Sequence, residues 1–164
     1  MNNLARSRRK FLQSATASAL LFFAGVSRES GAATLTKYPS RKIGNINTLK
    51  ANEPIDFHYP DSQSPCLLMM VDQAAIGGVG AQKNVVAFSS LCTHMGCPLT
   101  FSQNRLLCKC HYSMFDVARN GQSYQGLASQ WLPQVILRLD AAGNIFAEGI
   151  EGLVYGRIGN LKIS

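Results

Sequence analysis

Four of the five cysteines and two of the three histidines of this 164-residue chain fall within residues 92–113. The order is Cys92-x-His94, thirteen residues, then Cys108-x-x-His111, with Cys97 and Cys110 left over at one matching place in each box. Two thiolates and two neutral imidazoles brought together from two loops make a metal site. Two centres accept that donor set: a zinc ion held by two Cys and two His, or a [2Fe-2S] cluster with Cys on one iron and His on the other. Structural zinc boxes usually pair Cys with Cys and His with His, whereas each box here mixes one of each. The symmetric spare cysteines favour the cluster. So does Ser113, two residues after His111 and placed to donate a hydrogen bond to a cluster sulfur.

Such loops need a rigid support, and the rest of the chain reads as all-β. Residues 55–59 (IDFHY) alternate apolar and polar, as a half-buried strand does. Residues 66–71 form a continuous apolar run, and residues 84–91 (NVVAFSSL) deliver the chain into the first box. Residues 134–140 and 145–148 flank Ala141-Ala142-Gly143-Asn144, a hairpin signal. Leu153-Val154-Tyr155 is expected to make a last strand. The boxes interrupt this pattern and predict a small lobe at about 91–126, with turns at Ser102-Gln103-Asn104 and Asn120-Gly121. No helical period and no internal repeat is visible after the first 33 residues.

Residues 1–33 read as a leader. Ser7-Arg8-Arg9-Lys10-Phe11-Leu12 is a twin-arginine export pattern, followed by an apolar run at 15–26 and small residues at Gly31, Ala32 and Ala33. That run is shorter than the roughly 20 residues that span a bilayer. Cleavage would release residues 34–164 as one domain in the periplasm, and an uncleaved leader would keep the chain at a membrane. The oxidising destination permits a disulfide. Leader removal takes away five basic residues and one acid, lowering the formal charge from +7 to +3. No basic patch with interleaved aromatics remains, so a nucleic-acid partner is not expected.

CTHMGC followed by Cys-x-Cys-His-x-Ser resembles the two boxes of Rieske iron–sulfur proteins. The resemblance implies an antiparallel β base domain with a small inserted cluster-binding lobe. It implies Cys92 and Cys108 on one iron, His94 and His111 on the other, and a Cys97–Cys110 disulfide clamping the loops. The second box departs from the family in having Lys109 where Pro is usual and Tyr112 where Gly is usual. Phe115 stands where high-potential members carry a Tyr that bonds a cysteine sulfur. Hydrogen bonds to sulfur stabilise the reduced cluster, so Ser113 without that Tyr predicts an intermediate potential.

The resemblance extends further. Ala51-Asn52-Glu53-Pro54, Tyr59-Pro60-Asp61, Ser64-Pro65-Cys66, Gly77-Gly78-Val79-Gly80 and the closing Leu153-Val154-Tyr155-Gly156-Arg157 look like the small subunits of arsenite oxidases. That implies a periplasmic heterodimer with a molybdopterin-containing large subunit that holds the substrate site. Electrons would pass through this chain's single cluster to a c-type cytochrome or a cupredoxin. The small subunits of periplasmic iodate reductases are related and are the alternative. A respiratory cytochrome bc-type Rieske protein is a further reading, disfavoured by Phe115 and the short apolar run. A dioxygenase ferredoxin would lack the leader and the spare cysteines.

Other residues are assigned no chemistry. Gly77-Gly78-Val79-Gly80 lacks the Lys-Ser/Thr of a phosphate loop and reads as a flexible surface loop. His58 is expected at the surface, Cys66 as a small buried hydrophobe, and Met69, Met70 and Trp131 in the core. No paired carboxylates or nucleophile–base arrangement suggest catalysis within the chain.

Overall fold

The computed structural model describes residues 37–161, which form ten strands. The export pattern lies outside the described residues. In chain order the strands are β1 (Arg41–Asn45), β2 (Ile55–His58), β3 (Pro65–Met70), β4 (Val85–Ser89) and β5 (Leu99–Ser102). Then come β6 (Arg105–Cys108), β7 (Met114–Asp116), β8 (Gln122–Gln125), β9 (Gln134–Leu139) and β10 (Asn144–Glu151). They build a six-stranded sheet, β1-β10-β9-β4-β3-β2, and a four-stranded sheet, β5-β6-β7-β8, with every named pair antiparallel. Among the described residues no helix is long and apolar enough to cross a membrane.

The larger sheet curls until its edges meet. Register shifts between Lys42 and Gly44 and between Ala147 and Gly149 bend the strands, as bulges do. Arg41 on β1 donates to the carbonyl of His58 on β2 at 2.7 Å. Tyr59 donates its hydroxyl to the Pro39 carbonyl at 2.9 Å, and its ring stacks on Tyr38. The result is barrel-like.

β3 and β4 are buried on both faces, which is why residues 66–71 and 85–88 read as unbroken apolar runs rather than alternating ones. Cys66, Leu68, Val85 and Ala87 point into the barrel with Tyr59, Val135, Ile145 and Val154. Leu67, Met69, Val86 and Phe88 point the other way, against Leu106, Phe115, Val117 and Leu132. Burying each such large side chain contributes about 1.5–3 kcal/mol, so the second core fixes the small sheet firmly to the barrel. Phe88→Ala would remove about 3–5 kcal/mol from it.

The small sheet is a meander of three- and four-residue strands. Gln103 and Asn104 turn β5 into β6 with φ of 52° and 58°, the two positive values that a tight hairpin turn requires. Asn120 and Gly121 turn likewise, with the Asp116 carbonyl accepting from the Arg119 and Gly121 amides.

Three expectations are corrected. Leu153-Val154-Tyr155 forms no strand, because Gly152 and Gly156, at φ 87° and 78°, turn the chain on either side. Trp131 is 54% exposed rather than buried in the core. The glycine-rich loop is tied down by the Ala75–Lys83, Gly78–Ala75 and Val79–Val85 backbone bonds. Its Gly78 has no room for a side chain, since a Cβ would sit 2.1 Å from the Lys83 carbonyl oxygen.

Candidate metal centre

β4 delivers the first box and β6 the second, and the two loops close in the same way. In the first, the Cys92 amide donates to the Cys97 carbonyl and the Gly96 amide to the Cys92 carbonyl, both at 2.8 Å. In the second, the Cys108 amide donates to the Ser113 carbonyl and the Tyr112 amide to the Cys108 carbonyl, both at 2.9 Å. Gly96 and Tyr112 are thus equivalent corners, at φ 70° and 56°. The left-handed corner accounts for the usual Gly there, and Tyr112 adopts it at a cost of about 1–2 kcal/mol.

The corners converge. The Cys97–Cys110 disulfide is present, with its Cα atoms 6.5 Å apart, and joins the loops. The Cys108 sulfur lies within 4.8 Å of both disulfide sulfurs. Cys92 and Cys108 are buried. Burial and the adjacent Cys108 thiol push the Cys92 thiol up, while the backbone N–H groups of His94 and Met95 pull it down by favouring the thiolate. The His94 and His111 rings lie 4.8 Å apart, edge to face. His111 is exposed and His94 half-buried, so the thiols lie inside and the imidazoles at the rim.

One atom is left over. His94 Nδ1 is buried and has no hydrogen-bond partner among the described residues. A buried imidazole nitrogen without a donor is costly, unless that nitrogen is a metal ligand. Two buried thiols, an orphaned imidazole nitrogen and a second imidazole beside it fit a metal group. Cys92, His94, Cys108 and His111 could hold it.

A third loop, residues 126–133, escaped the sequence reading. Ser113 is fully buried, and its Oγ accepts from the Leu127 and Ala128 amides at 3.1 and 3.0 Å. With both contacts made as acceptor, its own O–H remains to donate. Thr93 Oγ1 donates to the Gln130 carbonyl at 2.9 Å, tying this loop to the first box. Gly126 is obligatory beside Ser113, since a Cβ there would lie 2.4 Å from the Ser113 Cα. The bracketing Gly126 and Pro133 were the available signal. Met95, Tyr112, Leu127 and Trp131, drawn from all three loops, are exposed apolar side chains.

The donor set suits a zinc ion as well as a cluster, and comparison with known proteins decides. The Rieske [2Fe-2S] domain family matches residues 41–134. Subunit IdrB of the iodate reductase of Pseudomonas sp. strain SCT is 39% identical over 158 residues, covering 92% of this chain and 82% of that one. IdrB of Denitromonas iodatirespirans is 41% identical over 128 residues, covering 75% and 69%. Among solved structures, the soluble domain of Rieske protein II from Sulfolobus acidocaldarius superposes with a TM-score of 0.64. It shares 23% identity and covers 74% of this chain and 82% of that one. This chain belongs to the Rieske [2Fe-2S] protein family, an all-β electron-transfer protein whose cofactor is a Rieske cluster.

Proposed function

We propose that this chain is the electron-transfer subunit of a periplasmic, molybdenum-dependent iodate reductase. The carrying observation is the collinear similarity to IdrB over 92% of the chain, well outside the cluster boxes. It favours iodate over arsenite, which the Ala51-Asn52-Glu53-Pro54 and Leu153–Arg157 motifs suggested first. Both readings place the substrate site on a molybdopterin-containing large subunit, and both use this chain as a wire. The twin-arginine pattern at residues 7–12 supports export as a folded protein.

Within the chain, Cys92 and Cys108 would bind one iron and His94 and His111 the other. A Rieske cluster supplies reversible one-electron storage. The residues around it do the rest. Ser113 would donate its O–H to a cluster sulfur. The disulfide holds the two ligand loops together, and the apolar rim of Met95, Tyr112, Leu127 and Trp131 gives a redox partner a surface close to the imidazole edge.

The test uses the complex purified from its host. Iodate-dependent oxidation of a reduced c-type cytochrome or viologen dye, with molybdenum present, is the expected result. Arsenite-dependent reduction of the same acceptor without iodate turnover would return the substrate to arsenite. A chain that purifies without a large subunit would overturn both.

A further inference from the structure

The turn spanning residues 92–97 carries both first-box ligands, and a ring from the far end of the chain lies on it. A Cβ built on Gly96 would sit 2.5 Å from both Cδ1 and Cε1 of Tyr155. The Tyr155 ring edge therefore occupies the place where any other residue at 96 would put its side chain. The segment behind the ring is anchored on both sides. Val154 is buried in the barrel core. The Val154 amide donates to Asn160 Oδ1 at 2.9 Å, and Asn160 Nδ2 donates to the Gly152 carbonyl at 2.6 Å. Arg157 grips Asp61 with two parallel bonds of 2.8 and 2.9 Å, the paired geometry that makes guanidinium–carboxylate contacts directional.

We infer that residues 153–157 are a strap that sets the position of the first ligand turn, with Tyr155 as its positioning residue. The disulfide and Thr93 tie this turn to the second and third loops; Tyr155 ties it to the barrel. The turn is closed by the Cys92 amide on the Cys97 carbonyl and by the Gly96 amide on the Cys92 carbonyl, so the place of Gly96 sets the place of Cys92. A ring seated on Gly96 therefore fixes the turn from that side and covers its backbone there. Tyr155 is itself 38% exposed, so its ring contributes little to the barrel core, and its removal loosens the turn without unfolding the sheet. The inference rests on Cys92 and His94 being ligands and is independent of which substrate the large subunit takes.

Tyr155→Ala, Tyr155→Phe and Arg157→Lys, each in the cluster-loaded full chain, test it by three readouts. These are the electron paramagnetic resonance line shape of the reduced cluster, its midpoint potential, and hydrogen exchange by mass spectrometry. Tyr155→Ala is expected to broaden the spectrum and move the potential upward, because admitted water stabilises the more negative reduced cluster. Exchange in the peptide spanning 92–97 should rise roughly tenfold, equivalent to about 1.4 kcal/mol of local opening energy, while β9 and β10 stay protected. Tyr155→Phe keeps the ring and should match wild type. Arg157→Lys loses the two-bond grip and should shift all three readouts the same way by less. Unchanged spectrum, potential and 92–97 exchange in Tyr155→Ala would overturn the strap, as would exchange rising equally across the barrel. A wild-type chain without a Rieske spectrum would overturn the ligand reading along with it.

Discussion

Replacing Ser113 by Ala separates two jobs held by one hydroxyl. The Oγ accepts from the Leu127 and Ala128 amides in a fully buried position. Alanine orphans both donors, at about 1–3 kcal/mol each, so the variant should lose about 2–6 kcal/mol of stability. The same substitution removes the O–H proposed to reach a cluster sulfur. A hydrogen bond to a charged group is worth about 1.5–3 kcal/mol, and if that strength is gained on reduction its loss lowers the potential by roughly 60–130 mV. A redox titration followed by electron paramagnetic resonance, paired with thermal unfolding, reads both quantities. A stability loss with an unchanged or raised potential would refute the cluster hydrogen bond and leave Ser113 as a clip for the third loop.

Four further outcomes follow from the same geometry. Changing Cys97 and Cys110 together to Ser opens a link across a sequence separation of 13; the cluster should bleach at lower temperature, with about 3 kcal/mol of stability lost. Reductant on wild type should reproduce the effect. Phe115→Tyr places a hydroxyl in the buried core beneath the loops, and a redox titration should show a higher potential than wild type. Arg157 holds the Asp61 carboxyl well below the usual carboxylate range. A lowered folded-state pKa means stability that is present above the unfolded value of about 3.8 and lost as pH falls through the folded one. Asp61→Asn should therefore melt lower at pH 7, by about 1–2 kcal/mol for these partly exposed groups, and lack the wild type's decline below pH 4 in acid melts. Trp131→Ala should change stability by less than about 0.5 kcal/mol, as surface changes do, yet slow electron exchange with the redox partner in stopped-flow mixing.

The two cysteine–histidine boxes, and the family they point to, were legible because their residue types are rare and their spacing is chemical. β3 and β4 were legible because burial on both faces leaves unbroken apolar runs. β1 was missed because Arg41-Lys42-Ile43-Gly44-Asn45 has no apolar period; it is an edge strand held by pairing with β10 and by the Arg41 contact to β2. β5 to β8 are too short, and too polar in Gln122-Ser123-Tyr124-Gln125, to carry a periodic signal. Trp131 deceived because an aromatic residue beside Leu132 and Pro133 looks like core. Here it sits on a loop whose inward side is filled by Ala128 and Leu132. Leu153-Val154-Tyr155 deceived for the opposite reason: Val154 is buried between two exposed neighbours, which imitates a strand that no partner pairs with. The third loop carries no titratable residue, and its contribution runs through backbone amides and one carbonyl, which residue types do not reveal.

Phe88 on β4 pairs directly with Gln134 on β9. The polypeptide therefore leaves the barrel and returns to it one strand spacing away, about 4.8 Å. The redox lobe is a cartridge plugged into a single gap between neighbouring strands, and the β4–β9 pair that flanks the gap belongs to the six-stranded sheet alone. Different cartridges could be carried on one barrel with no change in its register. The dry joint sets the limit: Leu67, Met69, Val86 and Phe88 face outward to receive the lobe, so a barrel stripped of its cartridge would expose an apolar plate and stick to itself unless those four positions were made polar.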